Sequence, residues 1–121
     1  MQKIKETSHQ QQGDKLKILE TTIQEQIVNW CRKKDILVWA TPNGSKRDIR
    51  EAVRLKKEGV LSGVPDLFFP ELFMFMELKT QTGKLSENQK VLIERLKNNY
   101  SVYVCRDTFE AVQIIKKHLT N

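Results

Sequence analysis

Asp66, Glu77 and Lys79 are the residues of this chain best placed to do chemistry. They lie in the stretch Gly63-Val64-Pro65-Asp66-Leu67-Phe68-Phe69-Pro70-Glu71-Leu72-Phe73-Met74-Phe75-Met76-Glu77-Leu78-Lys79. Two apolar runs separated by Pro70-Glu71 read as a β-hairpin with a tight turn there. Its open end then gathers two carboxylates and an amine. Glu77 and Lys79 are two residues apart on one strand, so their side chains leave the same face. Asp66 opens the partner strand and falls opposite the region of Phe75 to Glu77. Taken singly, Pro-Asp is a common turn starter and Glu-Leu-Lys a common solvated strand edge. Together, and directly after Leu72-Phe73-Met74-Phe75-Met76, the charges call for pairing or a metal. Two adjacent carboxylates repel and are costly to desolvate, and a hard divalent cation between them relieves both costs.

The elements that must position this trio follow from periodicity and turn chemistry. Residues 1–14 are polar, without periodicity, and read as a flexible tail ahead of a single domain over residues 15–121. The spacing of Ile23, Ile27, Trp30 and Cys31 predicts a helix from about Leu16 to Lys34. Ile36 to Ala40 reads as a short buried strand, and Pro42-Asn43-Gly44 as a turn. A second helix is expected from Lys46 to Glu58, with Gly59 in the C′ position. After the hairpin come a loop over Thr80 to Leu85, a helix from Ser86 to about Asn98, a strand from Ser101 to Cys105 and a helix from Thr108 to Leu119. Helices flanking a mixed sheet of about four strands, an α/β arrangement, is the layered solution for this order.

Helix phase separates two acids of the first helix. At about 100° per residue Glu20 falls near Ile27 and Cys31, on the inward face, whereas Glu25 falls on the opposite side. Thr22 with Glu25 also fits a capping box. Glu20 is therefore the helical acid assigned to the site, against the plainer role of a helix-start acid helped by the macrodipole. Ser86 and Gln89 fit a capping box as well, yet Gln89 also lies on the apolar stripe of its helix. Arg47, Arg50 and Arg54 line one side of the second helix with Lys46 nearby. They read either as a solvated face, diluted by Asp48, Glu51 and Glu58, or as phosphate contacts.

Composition narrows the partners. The 121 residues carry a formal net charge of +6 and 39% hydrophobic residues. A folded domain with an anionic partner is expected, and nucleic acid suits it better than membrane. No apolar run is long enough to span a bilayer, and the N-terminus shows no signal core. Cys31 and Cys105 read as buried, reduced thiols of a cytoplasmic protein. His9 and His118 support neither a zinc site nor a His-based triad. Few aromatics promise exposure, so no base-stacking platform is expected.

Pro65-Asp66 followed by Glu77-Leu78-Lys79 resembles the PD-(D/E)xK nuclease superfamily. With Pro42-Asn43-Gly44, Gly59-Val60, Gly63-Val64-Pro65-Asp66-Leu67 and Gly83-Lys84-Leu85-Ser86 then Gln89, the chain resembles more narrowly the virus-type replication-repair nuclease (VRR-NUC) domain, from about Glu20 onward. The resemblance implies a restriction-endonuclease-like core and a metal-dependent phosphodiesterase. Asp66, Glu77 and the Leu78 backbone carbonyl would hold Mg²⁺, with Mn²⁺ as substitute. Glu20, which precedes the apolar-Gln pair Ile23-Gln24, would hold a second ion or a water. Lys79 would act as a cation on the nucleophile, and Gln89 would position substrate or water. Asn43, Gly44 and Lys84 would sit close to the DNA. The expected activity is a structure-selective DNA endonuclease on branched or four-way DNA, in replication, repair or recombination, working as a homodimer or higher homo-oligomer. A nicking or restriction-type nuclease and a silent nucleic-acid-binding module are the alternatives.

Overall fold

A computed structural model describes residues 20–42 and 48–120 of the chain. The tail expected over residues 1–14 and the start of the first helix lie outside them.

Helix α1 covers residues 20–33. It buries Ile23, Ile27 and Cys31, four residues apart on one face. Asp35 ends it in the left-handed conformation (φ 57°), and the Ile36 N–H returns to the Cys31 carbonyl at 2.8 Å. Thr22 lies inside α1, so the expected Thr22–Glu25 capping box is not formed.

The strand expected over Ile36 to Ala40 is shorter and less buried than its composition suggested. Only Trp39–Ala40 pairs, as β1. Ile36 and Val38 are buried, whereas Leu37 and Trp39 are about half exposed, at 52% and 51%. An edge segment with only one face on the core alternates in this way. Helix α2, Ile49–Lys57, starts three residues later than expected. Asp48 is its extended N-cap, accepting a 2.8 Å hydrogen bond from the Glu51 N–H. Gly59 follows its end at φ +104°, as expected of a C′ glycine.

The hairpin is present, but its turn is longer than the Pro70-Glu71 pair. β2 is Leu67–Phe69 and β3 is Met74–Leu78. A 3₁₀ turn over Pro70–Leu72 joins them, closed by Phe73 at φ 49°. β1 and β3 each pair antiparallel with β2. β4, Ser101–Cys105, pairs parallel with β3. That parallel step requires a crossover, supplied by α3, Glu87–Leu96. Helix α4, Thr108–Leu119, closes the order. The result is a mixed four-stranded sheet, β1-β2-β3-β4, as the sequence predicts.

Strand alternation gives the two faces different work. Leu67, Phe69, Met74, Met76 and Leu78 are fully buried in one core with the inward residues of α1 and with Ala111 and Ile115 of α4. The other face carries Trp39, Phe68, Phe75, Asp66 and Glu77, and α3 reaches it through Gln89. Helix α2 buries none of its residues. No helix among the described residues is long and apolar enough to cross a membrane.

Candidate active site

The register decides the site. Leu67 faces Met76 across the hairpin, so one step outward Asp66 faces Glu77. The Asp66 carbonyl accepts from the Thr41 N–H at 2.8 Å, which brings the chain after β1 into the same row. Its carboxylate accepts from the Leu78 N–H at 2.8 Å. Asp66 therefore also holds the end of β3, a structural duty that the sequence did not reveal.

Glu77 is 2% exposed, the one charged residue in the buried set of the described chain. Its Oε2 accepts from Gln89 Nε2 at 2.9 Å and faces Lys79 Nζ at 3.5 Å. Its Oε1 is buried with no hydrogen-bond partner. Leaving such an acceptor unsatisfied costs about 1–3 kcal/mol. Burial pushes the Glu77 carboxyl up to about 7, the neighbouring Asp66 charge pushes in the same direction, and Lys79 opposes both. A carboxylate that is buried, crowded by a second carboxylate and short of one partner is a fitting oxygen ligand for a hard cation.

Gln89 resolves two readings into one. Ser86 Oγ accepts from the Gln89 N–H at 3.1 Å, and Gln89 Oε1 accepts from the Ser86 N–H at 2.8 Å, a complete capping box. The amide nitrogen of the same side chain is left to hold Glu77. Because the oxygen is committed to the cap, the amide can only donate to the carboxylate. Gly63 makes this closeness possible. It sits at φ +90°, and a Cβ there would lie 2.9 Å from the carbonyl carbon and oxygen of Asn88. The loop that delivers Asp66 can thus lie directly against the first turn of α3.

Arg106 is a contributor that sequence reasoning missed. Its guanidinium donates to the carbonyls of Thr80, Gln81 and Gly83 at 2.6, 3.4 and 2.8 Å. It ties down the loop that follows Lys79 and carries the exposed Lys84. Arg106 follows β4 as Lys79 follows β3, so only the parallel β3–β4 pairing brings them side by side.

The remaining expected residues are placed less closely. Glu20 is half-buried and Glu25 exposed, in the phase expected of them. Among the described residues, no group of three or more Asp, Glu, His or Cys side chains is gathered so that it could hold a metal ion. Arg50 and Arg54 are exposed on α2, and Arg54 is paired with Glu58 at 3.0 Å. Asn43, Gly44, Lys46 and Arg47 lie outside the described residues. Cys31 and Cys105 are free and buried, and burial pushes their thiols up to about 11 and about 12.

The chain matches the VRR-NUC domain family over residues 2–108. It belongs to the VRR-NUC family. A solved structure described as a VRR_NUC domain protein superposes with a TM-score of 0.70 at 22% identity, covering 84% of this chain and 88% of that one. At that identity the likeness speaks for the fold. No curated protein matches the chain. Membership in the VRR-NUC family makes this a nuclease-type domain, for which DNA is the natural partner. It also gives the buried Glu77 a context, since the Pro65-Asp66 and Glu77-Leu78-Lys79 pieces meet on one sheet face.

Proposed function

We propose that this chain is a metal-dependent DNA endonuclease acting on branched DNA, four-way junctions included. The observation that carries the reading is Glu77, buried with Oε1 unpartnered, facing Asp66 across the hairpin and Lys79 along its own strand. Asp66, Glu77 and the Leu78 carbonyl are the ligands suited to Mg²⁺ or Mn²⁺. Bound there, such an ion supplies charge neutralisation at the phosphate and a lower pKa for water. The protein does the rest. Gln89 locks Glu77 Oε2 and leaves Oε1 for the cation. Lys79, its side chain 15% exposed, offers positive charge to the attacked phosphate and orients the nucleophile. Arg106 fixes the loop after Lys79. Asn43, Gly44, Lys46, Arg47, Arg50, Arg54 and Lys84 are proposed to meet the DNA backbone.

Incubation with Mg²⁺ or Mn²⁺ and a panel of linear, flapped and four-way DNAs tests the function. Cleavage of branched DNA ahead of linear duplex, suppressed by EDTA, is expected. Equal cutting of all forms would favour the nicking or restriction-type alternative, and no cutting of any form would leave the silent binding module.

Glu20, half-buried at the start of the described part of α1, is proposed to hold a second ion or a water. Glu20→Gln is expected to cut turnover severely, whereas Glu25→Gln, at an exposed position, changes turnover little. A dead Glu25 variant beside an active Glu20 variant assigns the role to the other acid.

The working unit is proposed to be a dimer, because coordinated cutting of two strands needs two equivalent centres. Phe69, Met74 and Met76 lend this no support, since all three are spent in the protein's own core. The support comes from α2, whose Ile49 and Val53, four residues apart, are 83% and 48% exposed. Light scattering at micromolar concentration is expected to give twice the 14.2 kDa chain mass. A 14.2 kDa species that persists with junction DNA and still makes paired cuts would refute it.

A further inference from the structure

We propose that the aromatic row Trp39–Phe68–Phe75, flanked by Tyr100, is a stacking surface for unpaired nucleobases beside the phosphate that a cation on Asp66 and Glu77 would hold. The proposal rests on the nuclease reading of those two acids for its ligand, but its geometry is independent of metal.

Register builds the row. Trp39 faces Phe68, and Phe68 faces Phe75, across three successive strands. The ring centroids are 5.4 Å apart for Trp39–Phe68 and 4.4 Å for Phe68–Phe75. Tyr100 meets both phenylalanines edge-on at 5.8 and 5.2 Å and so braces them. The next row on the same face is Thr41, Asp66 and Glu77, two residues along each strand, or about 7 Å away. A phosphate drawn there by a cation on the carboxylates would place the neighbouring nucleotide over the rings.

The row is not spare core. The core lies on the opposite face, where Leu67, Phe69, Met74 and Met76 are fully buried. Trp39, by contrast, is 51% exposed on the edge strand, and Phe68, Phe75 and Tyr100 are only half-buried. Aromatic faces beside a cationic Lys79, in a chain of net charge +6, match a polyanion whose bases are available to stack. Bases inside an intact duplex already stack on one another. The row therefore selects flaps, gaps and unpaired branch points.

Fluorescence anisotropy in EDTA separates this binding from cleavage. The probes are a labelled oligothymidine, a duplex with a thymidine flap, and the same duplex fully paired. Trp39→Ala removes an exposed ring, and Phe75→Leu removes a ring while keeping apolar volume, so the fold survives at least one of them. Each variant is expected to weaken binding to the oligothymidine and the flap by about tenfold or more, and to leave the paired duplex within about twofold. Equal weakening on all three DNAs, or none on any, overturns the proposal. A drop in oligomeric mass with equal loss on all three would assign the row to contact between copies, and overturns it too. Wild-type protein that binds the flap selectively but cuts nothing with Mg²⁺ or Mn²⁺ would sink the nuclease reading and leave the stacking surface standing.

Discussion

Glu77→Gln is expected to abolish DNA cleavage while leaving a folded protein that still binds DNA. The substitution keeps the shape, and an amide can be accommodated where the carboxylate now sits. What it removes is the negative charge and the unpartnered Oε1 that a cation would use. Metal-assisted catalysis supplies several kcal/mol of transition-state stabilisation, so a loss of about 10³-fold or more in turnover is expected. Asp66→Asn should match it. Asparagine is the right replacement there because the Leu78 N–H needs an acceptor at 2.8 Å, and alanine would mix a lost hydrogen bond with lost chemistry. Rate measurements on a branched substrate, with melting and DNA-binding assays on the same preparations, check the result. Wild-type turnover in both variants would remove these residues from the site. Loss of folding in both would show that the pair is structural first.

Much of this arrangement was legible in the sequence, for a definable reason. The hairpin, α3 and α4 announce themselves by local rules: apolar runs around a turn, a Ser-x-x-Gln cap, and apolar positions at helical spacing. Asp66 and Glu77 meet because an antiparallel hairpin is a short-range object. The parts that were not legible depend on pairings distant in sequence. Arg106 reaches the loop after Lys79 only because β4 runs parallel to β3. The aromatic row was hidden inside Phe68-Phe69 and Phe73 to Met76, which read as undivided apolar runs. The pleat splits them, sending Phe69, Met74 and Met76 to the core and Phe68 and Phe75 to the side of the acids. Helix α2 was read only through its caps and its basic side, and it buries none of its residues. Gln89 was read as either cap or site residue, and a primary amide with two ends can be both.

The buried carboxyl also makes the stability of the metal-free protein depend on pH in an unusual direction. A salt-bridged acid ordinarily stabilises a fold as pH rises. Glu77 is held up to about 7 against an ordinary value of 4.5, chiefly by burial and then by Asp66. As pH rises through 4.5 the unfolded chain gives up this proton first, while the folded chain keeps it. Between these values the folded state binds more protons, so stability falls with pH, and the loss is complete above about 7. At 1.36 kcal/mol per unit this amounts to about 3 kcal/mol. Glu77→Gln isolates it from the other carboxylates. In EDTA the variant should be close to wild type near pH 5 and more stable by about 3 kcal/mol near pH 8, read from urea unfolding at each pH. Millimolar Mg²⁺ should then stabilise wild type at pH 8 and not the variant, because a ligand that binds only the folded state adds stability by mass action. If the variant's advantage is the same at both pH values, Glu77 is not the group that titrates. If Mg²⁺ fails to shift wild type at all, the orphaned Oε1 is not a cation ligand, and the metal must be sought elsewhere on the chain.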